Sequence, residues 1–334
     1  MTVLNAFRGS KLRQIIEPLN LSLMDIGARG GIDRDLWPAA WATTAVGFEP
    51  EPQECARLNC APPRPWRSVR YVPTALGESN RQQTLNIPKS DAGASLLSHN
   101  SQMVPRFGHV ALHRTIRTVP VETLTLDSAC DRFALAPPDY LKVDVEGAEL
   151  QILEAAPNTL ANCLAVKVEA SFLEQRVNQP LIQELLTFMQ SAGFLLGEIR
   201  DIHHWRRRPL PGHPYSAIWV VPYSRGIAAQ CDLVFLRDPD TLQSTEKKLR
   251  LVLVSAILGF FDHGVTVLRS SPDLESQLNT EMENSFLGEL GLVSRRMGRA
   301  VALSEAMSRL RGLAPLARSL LFGIRTRSPR EPGY

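Results

Sequence analysis

No two cysteines in this chain of 334 residues are spaced as C-x-x-C. The five present (Cys55, Cys60, Cys130, Cys163 and Cys231) are odd in number, which suits neither a disulfide framework nor a zinc site and reads as reduced thiols. Net charge is nearly absent: 37 Lys and Arg against 34 Asp and Glu leave +3, so no general affinity for nucleic acid is expected. The stretch Leu251–Phe261 is mostly apolar but only eleven residues long, short of the roughly 20 a membrane-spanning helix needs. No basic segment followed by an apolar core opens the sequence, which predicts no secretory signal and a cytoplasmic protein. Hydrophobic residues make up 44%, enough for one large core and a smaller second unit.

The chain is organised around Leu21–Pro52. A short apolar strand enters Asp25, and Gly27-Ala28-Arg29-Gly30-Gly31 then forms a turn whose missing Cβ atoms let backbone approach a ligand. A second apolar run, Thr44–Phe48, ends on Glu49. Strand, glycine turn, crossover, strand and terminal acid is the layout of a nucleoside-binding βαβ unit, the acid accepting from both ribose hydroxyls. The turn lacks the G-x-G-x-x-G of dinucleotide sites, because Arg29 replaces the second glycine. Asp25 ahead of the turn repels a phosphate and attracts a cationic amine. A nucleoside with an amino-acid tail, S-adenosylmethionine, fits better.

Residues 2–17 carry Val3, Leu4, Phe7, Leu12, Ile15 and Ile16 at mixed helical spacing, predicting a short cap helix that stops near Pro18. Pro52–Leu58 reads as a helix and Val69–Pro73 as a strand leading into Ala75-Leu76-Gly77, either an adenine wall or a tight turn. Residues 78–120 are polar and mixed; Gln83–Ile87 alternates like a strand and Gly93–Ser98 reads as the start of a helix or lid. His99, His109 and His113 fall here, each a general-base candidate or an exposed loop residue.

Val121–Asp127 alternates and meets a helix that Asp127 is suited to cap. In Leu141-Lys142-Val143-Asp144-Val145 and Glu146, strand alternation places Lys142, Asp144 and Glu146 on one face, costly unless paired or functional. Gly147 permits a turn and Glu149 starts a helix; a further strand, Leu164–Glu169, also ends in an acid. Asp25, Glu49, Asp144 and Glu169 thus form an electronegative rim suited to a cationic ligand, unless Lys142 pairs with Glu169 and makes that pair architectural.

The motifs DIGARGG, FEPEP, TALGES, GASLL, VETLTLD and YLKVDVEGAELQILEAA, in that order, resemble the FkbM-type S-adenosylmethionine-dependent methyltransferases over roughly residues 20–236. The resemblance implies an α/β fold: a doubly wound Rossmann-like sheet, mostly parallel, with an antiparallel last strand. It implies that Asp25, Gly27 and Gly31 hold the methionine portion, Glu49 the ribose, Ala75 and Leu76 the adenine, with Asp144 near the reactive methyl. Arg29 stands where the family usually has Asn, and faces either the cofactor's carboxylate or solvent. O-methylation of a hydroxyl on a sugar, polyketide or similar metabolite is implied. Apart from the resemblance, Asp144, His204 and His99 are each candidates for the base, and the sequence does not choose between them.

Pro180–Ser191 reads as a helix closed by Gly193, and Phe194–Ile199 as a strand; Ser216–Val221 with Asp232–Leu236 is expected to close an antiparallel edge. Between them, Asp201–Arg208 (DIHHWRRR) is a surface turn or an acceptor-binding cluster; its His pair is not spaced for a metal, and no metal is assigned. From about Thr241 the pattern turns helical, with Leu251–Phe261 serving packing or a dimer interface. Residues 288–334 hold nine Arg, no Lys and three Glu. That basic tail is a solvated helix or a contact for anionic membrane or an acidic partner. The expected organisation is a cap over 1–19, a methyltransferase domain over 20–238 and a helical extension over 239–334. The rival readings are a non-catalytic binding protein on the same fold and a nicotinamide-dependent oxidoreductase.

Overall fold

The computed structural model describes residues 6–89, 93–107, 114–205 and 226–322. In chain order, α1 (Arg13–Leu19) leads into β1 (Leu21–Ile26), and β2 (Thr43–Phe48) and α2 (Pro52–Asn59) precede β3 (Ser68–Val72). Next come β4 (Ala75–Leu76), β5 (Arg81–Pro88), β6 (Thr115–Leu124), α3 (Leu126–Phe133) and β7 (Tyr140–Val143). They are followed by α4 (Glu149–Glu154), α5 (Pro157–Asn162), β8 (Ala165–Ser171), α6 (Ile182–Ser191), β9 (Phe194–Trp205) and β10 (Ile227–Arg237). The chain then runs through α7 (Thr245–Leu258), α8 (Phe261–Arg269), α9 (Pro272–Met282) and α10 (Phe286–Phe322).

Seven strands form one sheet in the order β3-β2-β1-β7-β8-β10-β9, parallel except for β10, which runs antiparallel to both neighbours. This is the mostly parallel, doubly wound Rossmann-like sheet with helices on both faces. Strand alternation feeds both. Leu21, Leu23 and Tyr140 join one buried layer with Phe7, Ile16 and the helices of the C-terminal third. Met24, Ile26, Leu141 and Val143 join the other, with Leu150, Leu153, Leu185 and Met189. Leu251 to Leu258 are all buried, so the apolar stretch of α7 is used inside the chain. α8 crosses it closely at Gly264, where a Cβ would meet the Val252 carbonyl at 2.9 Å. Among the described residues, no helix is long and apolar enough to cross a membrane.

Several expected details change. The cap helix begins only at Arg13; Phe7 and Leu12 are buried ahead of it on turns, because apolar spacing marks burial in a turn as well as in a helix. The antiparallel strand β10 is not at the edge but between β8 and β9, an insertion that follows from pairings between distant segments. Ser216–Val221, His109, His113 and Arg206–Arg208 lie outside the described residues. Asp201–Trp205 is no surface turn: it extends β9, with Trp205 buried against Phe107 at a ring separation of 5.6 Å. Thr125, not Asp127, caps α3, its side chain accepting from Ser128 N at 3.1 Å. Asp127 instead accepts from Asn158 N and Thr159 N at the start of α5, at 3.0 and 2.8 Å. Gly93–Ser98 forms no α-helix; Ser95 bridges to Asn86 of β5 in extended pairing.

Candidate functional site

The chain leaves β1 for β2 and β3 on one side, then returns to place β7 on the other, so the sheet's switch point lies between β1 and β7. Ligands of open α/β sheets bind at the carboxyl ends of such strands. Gly27 turns the chain there at φ +86°, and a Cβ on it would sit 1.9 Å from the Asp144 carbonyl oxygen. The Gly27 and Ala28 amides donate to Phe48 O at 3.2 and 3.0 Å, and Asp144 N donates to Ile26 O at 3.0 Å. Three strand ends are thereby drawn into one rim.

Asp25 is not beyond the strand but inside it, 1% exposed. Its carboxylate accepts from Asp33 N at 2.8 Å and pairs with Lys142 Nζ at 3.0 Å; burial pushes its pKa up, against the pull of Lys142. Glu49 directly follows β2 and is buried, with Oε1 accepting from Glu51 N at 2.9 Å; loss of solvent raises its pKa too. A buried carboxyl with a raised pKa gains from hydroxyl donors brought by a ligand. Ala75 and Leu76 are buried and line a cleft with Ile26, Phe48, Glu49, Leu96 and Val145. An adjoining cleft of about 360 Å³ is lined by Asp25, Gly31, Lys142, Lys167, Glu169 and Asp232. Gly27, Arg29, Asp144 and Glu146 line both. Arg29 forms an ion pair with Glu51 at 3.1 Å on the rim.

The expected strand through Val145 ends at Val143, because Glu146 (φ +62°) and Gly147 (φ +117°) turn the chain in left-handed conformations. Asp144 and Glu146 therefore stand on a loop, not on a strand face. Lys142 does not pair with Glu169: it bridges Asp25 and Asp144, the latter at 3.3 Å, and donates to Gly27 O at 3.2 Å. Burial opposes its charge, but Asp144 and Asp25 outweigh burial and hold the ammonium above its ordinary range. Glu169 instead accepts from Gln230 Nε2 at 2.7 Å and lies directly across from Asp232 of β10. Burial, then the surrounding carboxylates, push Glu169 well above the usual range, and burial raises Asp232 to about 6.

Sequence reading missed the support beneath this loop. Arg176, 3% exposed, donates to Glu146 Oε2 at 2.9 Å and to Gly93 O at 2.8 Å. Ser95 Oγ donates to Glu146 O at 2.8 Å, so the segment after β5 is clamped to the loop after β7. Gln179 packs against Gly147 and bonds to Ser171 at 2.8 Å. No periodicity marks these residues; their polarity within a buried run was the available signal. His99 bridges by backbone to Arg176, and His204 is exposed on β9. Of the three base candidates, Asp144 lines the clefts and the histidines do not. Asp144, Glu149 and Glu169 bring one carboxylate oxygen each within 4.8 Å of one another, a separation a divalent cation can share.

Glu149 accepts from Val145 N and Gly147 N, both at 2.9 Å, and burial raises its pKa to about 7. A raised carboxyl favours folding below its unfolded value, and that contribution disappears as pH climbs through the folded value. Glu149→Gln keeps an oxygen acceptor and should flatten the fall in stability between about pH 4.5 and 7, by up to ~3 kcal/mol. Urea unfolding across that interval measures it; equal pH slopes in variant and wild type contradict it.

The model of the methyltransferase FkbM domain matches residues 25–196, the stretch that holds Asp25, Glu49, Asp144 and Arg176. The chain belongs to the FkbM methyltransferase domain family. The 2-O-methyltransferase NoeI of Sinorhizobium fredii is 25% identical over 189 residues, which are 54% of this chain and 76% of that protein. Among solved structures, a precorrin-6y C5,15-methyltransferase from Geobacter metallireducens shares 11% identity over 68% of this chain and 89% of its own, at a TM-score of 0.30. Streptococcus pneumoniae Sp1610, solved in complex with S-adenosyl-L-methionine, shares 13% over 86% and 99%, at 0.28. These distant likenesses add nothing to what the sheet order shows. This FkbM protein is a methyltransferase, and its cofactor is S-adenosylmethionine. The residues present suit that molecule: a turn that excludes a Cβ, buried acids at two strand ends and an apolar wall between them.

Proposed function

We propose that this methyltransferase methylates a hydroxyl oxygen on a sugar, polyketide or related small-molecule or glycan acceptor. The observation that carries the reading is Asp144, a carboxylate 42% exposed where the two clefts meet and fixed by Lys142 from below. The 2-O-methyltransferase activity in the name of the Sinorhizobium relative supports oxygen as the acceptor atom. S-adenosylmethionine supplies a methyl group already activated on a sulfonium. The chain's residues then bind, orient and take up a proton. Glu49 accepts from the ribose hydroxyls, Ala75 and Leu76 flank the adenine, and Asp25, Gly27, Arg29 and Gly31 enclose the amino-acid end. Asp144 faces the incoming hydroxyl, accepts its proton as the oxygen attacks, and holds it in line, where positioning supplies much of the rate.

Calorimetric titration with S-adenosylmethionine and its demethylated product, with NAD as control, tests the cofactor half. Glu49→Ala should weaken both cofactor forms about ten- to a hundredfold, since hydrogen bonds to a charged group contribute ~1.5–3 kcal/mol. An acceptor screen starting with hydroxylated glycans tests the other half, with mass spectrometry locating the methyl group. Transfer to nitrogen overturns the oxygen reading. Cofactor binding without turnover on any acceptor favours a binding protein, and tight NAD binding an oxidoreductase.

A further inference from the structure

One buried cation holds two walls. Arg176, in the loop after β8, uses a single nitrogen, Nη2, to donate both to Gly93 O at 2.8 Å and to Glu146 Oε2 at 2.9 Å. A guanidinium removed from water needs charge and hydrogen bonds to meet it. Among the described residues, Glu146 is the one carboxylate that pairs with it. Desolvation offsets most of the attraction in such a pair, so its main effect is geometric. It fixes how two segments distant in the chain lie against each other.

The first segment closes the cofactor cleft. Ala94, Ser95 and Leu96 line that cleft without belonging to any of the ten strands. Few contacts hold them there. Ser95 N and O pair with Asn86 of β5 at 3.0 and 2.8 Å, Val177 N donates to Ser98 O, and Asn100 N donates to Gln175 O, the last two at 2.8 Å. Residues 93–100 thus form a strap from β5 to the loop after β8, and Arg176 grips its leading end.

The second segment is the loop after β7. Glu146 holds φ +62°, a left-handed conformation that a side chain adopts only where its surroundings fix it. Ser95 Oγ fixes its carbonyl at 2.8 Å, and Arg176 fixes its carboxylate. One tether is the strap itself; the other is the residue that grips the strap. Asp144 stands two residues earlier on the same loop, where the clefts meet.

We propose that Arg176 is a positioning residue for methyl transfer, latching the 93–100 strap onto the loop after β7. Closing the wall over S-adenosylmethionine and setting Asp144 in place are then one event, and the cofactor leaves when the latch opens. Arg176 acts through Gly93 and Glu146 and lines neither cleft itself. Surface plasmon resonance on the immobilised full chain tests this, with the demethylated cofactor as probe. Arg176→Met should raise its dissociation rate about tenfold or more, as expected for lost hydrogen bonds to a charged group. Arg176→Lys keeps the charge but not the planar fork, and should recover part of the loss. Hydrogen exchange supplies a readout that a purely structural role would not move. In Arg176→Met, the Leu97 and Asn100 amides of the strap and the Val145 and Gly147 amides of the loop should exchange faster together. Those of β1 and β7 should keep wild-type protection. A wild-type dissociation rate in folded Arg176→Met overturns the proposal. So does faster exchange spread evenly over the sheet, or confined to the strap with Val145 and Gly147 unchanged. If Arg176→Met does not fold, Arg176→Lys decides: a rate raised about threefold or more supports the latch, and a wild-type rate overturns it. The test needs no acceptor, so failure of the oxygen reading would leave it standing.

Discussion

Gly27→Ala should cost this methyltransferase at least about a hundredfold in S-adenosylmethionine affinity while the sheet still forms. Two effects act at that position and they can be separated. The backbone sits at φ +86°, where any Cβ costs ~1 kcal/mol. The Cβ would also lie 1.9 Å from the Asp144 carbonyl oxygen, a backbone atom with no side-chain freedom to give way. The loop Asp144–Gly147 would have to retreat, and it carries Asp144, Val145 and Glu146 from the cleft walls. Gly30 is the internal control: φ is +83°, yet a Cβ there meets nothing within 4 Å. Gly30→Ala should lose only the conformational part and keep cofactor affinity within a few-fold. Calorimetry and circular dichroism on both variants decide it. Equal losses would make strain the cause, and wild-type affinity in Gly27→Ala would remove the cofactor from this turn.

The contrast between the two glycines marks how far the sequence could be read. The turn itself, the apolar runs of β1 and β2, and the acids at their ends stand next to one another in the chain, so spacing alone locates them. That Gly27 meets Asp144 does not, because 117 residues separate them and neither has a periodic signature. The same limit hid the partner of Lys142. Alternation correctly turned it away from Leu141 and Val143, but which carboxylate it meets depends on β1 lying alongside β7, with Asp25 opposite Lys142. The choice left open at Glu169, rim acid or partner of Lys142, turned on the reciprocal knowledge, and Glu169 lines the cleft. Its neighbours come from β10, whose insertion between β8 and β9 is a pairing of distant strands that no local pattern encodes. Alternation marked Gln83–Ile87 of β5 and the end of β6, but not the start of β6, where Ile116, Arg117 and Thr118 are all exposed and no apolar alternation shows. Arg176 was invisible on both counts. It is a polar residue buried at 3% exposure, whose two acceptors lie 30 and 83 residues earlier.

Asp144→Asn should lower turnover by about 10²–10⁴-fold, the usual contribution of a positioned general base. Asparagine keeps the size of the side chain and an oxygen for Lys142, so the loop and its 3.3 Å contact need not move. It cannot take a proton at pH 7. Cofactor affinity should therefore change far less than turnover, by no more than about tenfold for one partly exposed charge facing a sulfonium. That split between binding and rate distinguishes a base from a residue that only attracts the cofactor, for which affinity and rate would fall together. His99→Gln and His204→Gln complete the test. His99 is tied by backbone pairing to Arg176, and His204 lies on the exposed face of β9, its Nδ1 3.2 Å from Ile202 O. Both variants should keep turnover within about twofold of wild type, since neither ring borders a cleft. Turnover gives the decisive reading: it should collapse in Asp144→Asn and hold in both histidine variants. If His204→Gln loses it instead, β9 supplies the base and Asp144 acts on the cofactor alone.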